Sequence, residues 1–346
     1  MGQPDDIAAR QGARVTSYDV ARRAGVSQSA VSRAFREGAS ISAELRERIL
    51  RAADALGYAP SNIARALITQ RSRLIGVVVT RATARNNPDI LFHLGQHIQD
   101  AGSRMLVFTL PDDAVDDSIL GDLLSYHVDG VIAAATIPED TLRRCAQRGL
   151  PVILYNRHGI AASVACDHAT GMRDLAEHLA RTGTRDAAFI AGPQGAPVSE
   201  ERHRAARAAF AEFGMGLRPA IHADYTHEGG QAATIALLTA GNPPDTIVCA
   251  NDSMAMGAID ACRHSLGLAV PGDVAIAGFD DIPQSGWPSY SLTTVAQPIP
   301  QLTRAAVHLL VDHIDGRSTA NERRLMPAEL VIRTSTRGTG NENMIA

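Results

Sequence analysis

Two groups of side chains in this sequence could do chemistry. The first is Gln28, Ser29, Ser32 and Arg33, at or near the N-terminal end of a short helical stretch. Amides, hydroxyls and a guanidinium on one helix are the groups that read base edges in a DNA major groove, and an arginine best suits guanine. Gln28, Ser29 and Arg33 would make those contacts, and Ala30 could offer only a methyl. The second group lies just beyond apolar runs that read as strands. Thr80 and Arg81 follow the first run, Asn156 and Arg157 follow Pro151–Tyr155, Asn251 follows Thr246–Ala250, and Asp280 follows Val274–Phe279. Arg202 lies in the helical part after Gly192-Pro193, and Tyr225 precedes a helix starting near Glu228. Ligands of open parallel sheets bind beyond the carboxyl ends of the strands. Carboxylate, amide and guanidinium groups around an aromatic face suit the adjacent hydroxyls of a sugar or polyol. Asn251 and Asp280 could instead cap the next helix or turn, and Tyr225 could be a packed rim aromatic.

The first group needs a scaffold, and the residues around it supply one. Thr16 or Ser17 can cap a short helix, with Asp19 in its first turn and Val20, Ala21 and Ala24 as its apolar stripe. Gly25 stands where a helix ends in a left-handed residue. Ser27 caps a second helix whose Ala30, Val31 and Ala34 face inward at helical spacing. Ser42 caps a third, with Leu45, Ile49, Ala52, Ala53 and Leu56 in register, and Gly57 ends it. Two short helices joined at a glycine, the second exposing small polar groups and one arginine, describe a helix-turn-helix. The following segment, Ser61 to Thr69, is too short to hold a helix alone in water and needs a partner to order it.

At this point the sequence resembles the LacI family of bacterial transcription regulators. The matching pieces are Tyr18-Asp19-Val20-Ala21, Ala24-Gly25-Val26-Ser27, Val31-Ser32-Arg33, Ile41-Ser42, Leu56-Gly57-Tyr58 and Ala64-Arg65-Ala66-Leu67. The resemblance implies a three-helix head over residues 15–59 and a hinge helix and linker over 60–72. It adds Thr16, Tyr18 and Ser27 to the DNA-facing set, and Ser61, Asn62, Ala64, Arg65 and Leu67 in the hinge. Leu67 would wedge between base pairs in the minor groove, where unstacking is offset by a duplex bent onto more protein. A homodimer with two heads would occupy the half-sites of a palindromic operator.

Beyond residue 73 the pattern changes. Strands Leu74–Thr80, Met105–Leu110, Asp129–Ala135 and Pro151–Tyr155 alternate with helices near 88–101, 114–126 and 139–148. Helices 170–181, 199–213, 228–240 and 253–265 then alternate with strands 187–191, a short one near Ile221, 246–250 and 274–279. Strand 292–295, helix 301–314 and strand 326–332 finish the chain. Such alternation means two parallel sheets of about six strands, with helices on both faces. The late helix implies that the chain crosses between lobes more than once. The fold expected is therefore α plus α/β: a helix-turn-helix head with a hinge helix, then a two-lobed, doubly wound, periplasmic-binding-protein-like core over 73–337. Lobe 1 would span about 73–167 and 298–325, and lobe 2 about 168–297 and 326–337, with a disordered tail at 1–14 and a loose one at 338–346.

The core carries the same resemblance in Val248-Cys249-Ala250-Asn251-Asp252, Met254-Ala255-Met256-Gly257-Ala258, Gly278-Phe279-Asp280-Asp281 and Leu292-Thr293-Thr294-Val295. Matched residue by residue, it puts Thr80, Asn156, Arg202, Tyr225, Asn251, Asp280 and Gln297 around an effector cleft, and implies a small-molecule partner of sugar, polyol or sugar-acid type. The chain departs from the family pattern at Ala205, Gly183-Thr184 and Thr303, and Arg81–Asn87 lacks the usual Asp-Ile-Ser-Asn-Pro-Phe run. The effector's identity therefore does not carry over.

Composition narrows the classes. The net charge of −4 divides into +5 over residues 1–73, twelve arginines against seven carboxylates, and −9 over the rest. A positive head on a negative body suits a protein whose head alone meets phosphate. Every basic residue counted in that charge is an arginine. Cys145, Cys166, Cys249 and Cys262 are far apart and read as reduced core thiols of a cytosolic, nucleoid-associated protein. No apolar run reaches membrane-spanning length, and the polar start does not read as a secretory signal. A plain solute-binding protein would share the core but lack residues 16–67. An enzyme is not expected, because no Gly-x-Ser-x-Gly, Gly-x-x-x-x-Gly-Lys or His-Glu-x-x-His motif is found. No cofactor is expected, and His93 and His97 at i, i+4 read as a solvated helix face rather than a metal site.

Overall fold

The computed structural model describes residues 15–35, 39–59, 71–111, 117–318 and 321–338. The chain divides into two contact units at Ser72 and Arg73. Expectations for Ser61, Asn62, Ala64, Arg65 and Leu67, for residues 1–14 and for 339–346 lie outside the described residues.

The first unit contains α1 (Ser17–Ala24), α2 (Gln28–Ala34) and α3 (Ala43–Leu56). Local chemistry sets each boundary. Asp19 Oδ2 accepts from the Thr16 backbone N–H at 3.0 Å and from Thr16 Oγ at 2.7 Å, locking the first turn of α1. Ser27 Oγ accepts from Ala30 N, and Ser42 Oγ from Leu45 N, both at 3.3 Å. Gly25 and Gly57 close α1 and α3 at φ of 64° and 63°, where a β-carbon would be strained. Val20, Val31 and Ile49, backed by the alanines of all three helices, form the core of this unit.

The second unit has two sheets. Its first part runs β1 (Leu74–Thr80), α4 (Arg81–Asn86), α5 (Asp89–Asp100), β2 (Arg104–Leu110), α6 (Asp117–Ser125), β3 (Gly130–Ala134), α7 (Glu139–Gln147), β4 (Val152–Tyr155) and β5 (Ala162–Asp167). The second part runs α8 (His168–Arg181), β6 (Asp186–Ala191), α9 (Pro197–Glu212), β7 (Gly216–Leu217), β8 (Ile221–His222), α10 (His227–Thr239), β9 (Thr246–Cys249), α11 (Asp252–Asp260), β10 (Ala275–Asp280) and β11 (Thr293–Ala296). The chain ends with α12 (Ile299–Ile314), β12 (Arg323–Pro327) and β13 (Glu329–Val331).

Among the described residues one sheet has the order β12-β5-β4-β3-β1-β2 and is parallel throughout. The other runs β13-β11-β10-β9-β6-β7, with β8 also on β6 and β13 antiparallel to β11. Inner strands such as β1, β3 and β9 are buried along nearly their whole length, as sheets covered on both faces require. The chain passes between the sheets at 167–168, 296–299 and 327–329.

Several elements differ from the sequence expectation, and α4 and β7 had no counterpart in it. β5 was not anticipated, because Ala-Ser-Val-Ala-Cys-Asp is built of small residues and lacks a strong apolar signal. The single final strand at 326–332 is two strands on different sheets, parted at the buried Ala328. The helix at 253–265 stops at Asp260 and continues as a widened turn over Ala261–Leu266. The four cysteines are free and buried. Among the described residues no helix is long and apolar enough to cross a membrane, and no group of three or more His, Cys, Asp or Glu could hold a metal.

Helices α10 and α11 pack by glycine. A β-carbon at Gly230 would lie 2.2 Å from Met254 O, and one at Gly257 would lie 2.0 Å from His227 O. Both obstacles are backbone atoms, which cannot swing aside. Gly257→Ala is expected to destabilise the core by about 2 kcal/mol in urea unfolding. Gly241→Ala, with open space around it, should change it by less than about 0.5 kcal/mol. Equal effects would refute the close approach.

Candidate effector cavity and DNA-facing head

A cavity of about 600 Å³ lies at the carboxyl ends of the strands of both sheets. Its wall includes Thr80, Asn156, Arg202, Tyr225, Asn251, Asp280 and Gln297, so the structure brings all seven candidates together. Thr80 ends β1, Asp280 ends β10, Asn156 follows β4, and Gln297 follows β11. Arg202 sits in the second turn of α9.

These groups are wired to one another. Arg202 Nη2 donates to Asp280 Oδ1 at 2.7 Å, and Arg202 Nη1 donates to Ala250 O at 2.5 Å. Its guanidinium lies 3.8 Å from the centre of the Phe279 ring, which also meets the His168 ring in a T-shaped contact at 5.3 Å. Gln297 Nε2 donates to the same Asp280 Oδ1 at 2.7 Å, and Asn156 Nδ2 donates to Gln297 Oε1 at 2.7 Å. Asn156 Oδ1 accepts from Cys166 N at 2.8 Å. A continuous polar chain thus runs from the first sheet through Gln297 to Asp280 and Arg202 on the second. No described group donates to Asp280 Oδ2, and Arg202 Nε has no protein partner among the described residues.

Two candidates also serve the scaffold. Asn251 Oδ1 accepts from Met254 N at 3.0 Å, capping α11, while its Nδ2 donates to Tyr225 O at 3.2 Å. Thr80 Oγ accepts from Thr83 N at 3.0 Å, capping α4. Asp280 caps nothing; its carboxylate belongs to Arg202 and Gln297. Tyr225 presses its ring on Gly192, where a β-carbon would lie 2.2 Å from the ring. Asn156, Tyr225 and Asp280 hold positive φ values of 48°, 62° and 117°. Non-glycine residues adopt such angles at a cost, and such strain clusters at ligand sites.

Sequence reasoning passed over three contributors, Tyr155, Asp252 and Glu201, and named Arg157 only as a residue beyond a strand end. Arg157 and Tyr155 line the cavity and are buried; Tyr155 was hidden inside an apolar strand. Asp252, fully buried behind Asp280, accepts from Ile282 N at 2.9 Å, Ser285 Oγ at 2.7 Å and Thr294 Oγ at 2.5 Å. Glu201 on α9 takes His158 Nε2 at 3.1 Å and His168 Nδ1 at 3.6 Å, a second tie between residues following β4 and the second sheet's helices. Burial raises the Glu201 carboxyl, but the two histidines outweigh it and hold it below its usual range. Burial keeps His168 below its ordinary value.

In the first unit Thr16, Tyr18, Ser27, Gln28, Ser29, Ser32 and Arg33 are exposed. Ala30 is not. It is 6 % exposed and packs into the three-helix core, because helical spacing turns it inward with Val31 and Ala34. It is therefore withdrawn from the DNA-facing set. Gln28 Nε2 donates to Ser17 Oγ at 3.3 Å, tying the starts of α1 and α2 together.

A family model described as bacterial regulatory proteins, lacI family, matches residues 16–61, and a periplasmic binding protein-like domain matches residues 176–336. The transcriptional regulator reg1 of Streptomyces lividans is 32 % identical, over 92 % of this chain and 95 % of that protein. The chain belongs to the LacI family of bacterial transcription regulators. Among solved structures, the Lac repressor dimer bound to operator and the anti-inducer ONPF superposes with a TM-score of 0.86 and 26 % identity, over 94 % of this chain and 100 % of that one. The CelR–cellobiose complex superposes with a TM-score of 0.69 and 29 % identity, over 93 % and 100 %. This LacI-family chain is a DNA-binding transcription regulator, with the helix-turn-helix head and the periplasmic-binding-protein-like core of its relatives.

Burial, with the nearby Asp280 charge, pushes the Asp252 carboxyl up to about 7 against the three donors that oppose the shift. Between about pH 4 and 7 the folded core keeps a proton that the unfolded chain has released. That group's contribution to stability is full at the acid end and falls as pH rises through about 7. Asp252→Asn should remove this component from the pH dependence of urea unfolding, at a cost in stability at every pH. An unaltered pH profile would refute it.

Proposed function

We propose that this LacI-family regulator is a homodimeric repressor, working in the cytoplasm, whose hold on a palindromic operator is set by a sugar-like metabolite in the core cavity. The observation that carries this reading is the polar chain Asn156–Gln297–Asp280–Arg202, which spans both sheets across the cavity. Asp280 Oδ2 supplies an acceptor, Arg202 and Asn251 supply donors, and the Tyr225 ring supplies an apolar face, the set that adjacent sugar hydroxyls require. CelR in complex with cellobiose and the ribose operon repressor of Halalkalibacterium halodurans, 30 % identical, support the ligand class. The Lac repressor dimer on its operator supports the assembly. A ligand that draws the two walls together moves Thr80, and Thr80 ends the strand that begins at the linker. That strand offers a mechanical route from cavity to DNA affinity.

Arg33 reads a base edge in this scheme. Arg33→Ala should weaken specific operator binding tenfold or more while leaving binding to random DNA nearly unchanged. Equal losses on both DNAs would refute base reading.

A thermal melt against pentoses, hexoses and disaccharides, headed by ribose, glucose and cellobiose, tests the cavity. A ligand at a hundred times its Kd adds about 2.7 kcal/mol to the stability of the core. Asp280→Asn should abolish that gain and leave ligand-free operator binding intact. Asp280→Ala is the poorer variant, because it strands the buried Arg202 at a cost of about 3–5 kcal/mol. A full response from Asp280→Asn would overturn the assignment.

A further inference from the structure

Tyr155 ends β4 and forms part of the cavity wall. Its side chain is 1 % exposed, yet no protein group among the described residues hydrogen-bonds to its hydroxyl. A buried hydroxyl left unpaired works against folding. Phenylalanine would fill the same volume without that cost, so the ligand-free core gains nothing from tyrosine here. The neighbours of the hydroxyl point to its use. Burial first, then the Cys166 thiol and the Asp280 carboxylate, raise its pKa, so it stays a neutral phenol able to donate. Asp280 is itself in the wall.

We infer that Tyr155 is a specificity-determining residue of this cavity, its hydroxyl donating a hydrogen bond to an oxygen of the bound sugar beside Asp280. The inference rests on the sugar-binding reading proposed above. It adds a selection rule. A sugar that lacks an oxygen at that place leaves the phenol unpaired, and sites built to hydrogen-bond an oxygen reject analogues without it.

Tyr155→Phe deletes one atom and keeps the ring, so its two effects are expected to have opposite signs. The ligand-free protein should melt higher, by about 2 °C, because an unpaired polar group has gone. The Kd of whichever probe stabilises the wild type, among ribose, glucose and cellobiose, should rise about tenfold. A ligand-free melt that is unchanged or lower would show that the hydroxyl already has a partner, and would overturn the inference by itself. A higher melt with unchanged Kd would overturn it too, while leaving the cavity reading standing. No stabilisation of the wild type by any of the three sugars would overturn the cavity reading, and this inference with it.

Discussion

The ion pair between Arg202 and Asp280 is the contact on which the core's functional geometry depends. Its partners lie 78 positions apart, on α9 and at the end of β10, and both are more than nine-tenths buried. Two charges withdrawn from water repay their desolvation only if the geometry is good and the remaining polar atoms are satisfied. Here Ala250 O and the Phe279 face take up part of the guanidinium and Gln297 reinforces the carboxylate, while Arg202 Nε keeps no protein partner among the described residues. The φ of 117° at Asp280 is the backbone cost of aiming that carboxylate into the cavity.

Gln297 turns this local pair into a link between lobes. It sits where the chain passes from the second sheet to α12, and it is held on one side by Asn156 and on the other by Asp280. A ligand competing for Asp280 or Asn156 acts directly on a crossing segment. Glu201, bridged to His158 and His168, ties the same two walls at a second point. The scaffold around them is stiff. Gly230 and Gly257 let α10 and α11 touch backbone to backbone, and Asp252 draws Ile282, Ser285 and Thr294 together behind Asp280. Rigid walls joined by a few polar contacts suit a switch with two arrangements better than a continuously yielding pocket.

The DNA-facing head is organised differently. Short-range chemistry decides nearly all of it: the Thr16–Asp19 lock, the serine caps at Ser27 and Ser42, and glycines at Gly25 and Gly57 that accept left-handed backbone. The polar residues of α2 are exposed because helical periodicity turns Ala30, Val31 and Ala34 into the core.

For that reason the three helices of the head, with their caps and apolar faces, were legible in the sequence. Ala30 was assigned to both faces, and its burial in the three-helix core agrees with the inward one that helical spacing gave. The alternating core and the polar residues beyond its strand ends were legible as well, because parallel strands and their carboxyl-end loops write a periodic pattern. The sequence could not show which of those polar groups are paired. Arg202 finds Asp280, Asn156 finds Gln297 and Asp252 gathers Ser285 and Thr294 across separations of 33 to 141 residues, with no local signal. It likewise could not separate Tyr155 from the apolar strand it ends, or reveal β5, whose small side chains pair only because β4 and β12 flank them. Local propensity and periodicity determine elements and faces; which buried polar atom meets a partner, and which is left for a ligand, is decided only when the folded chain brings distant segments together.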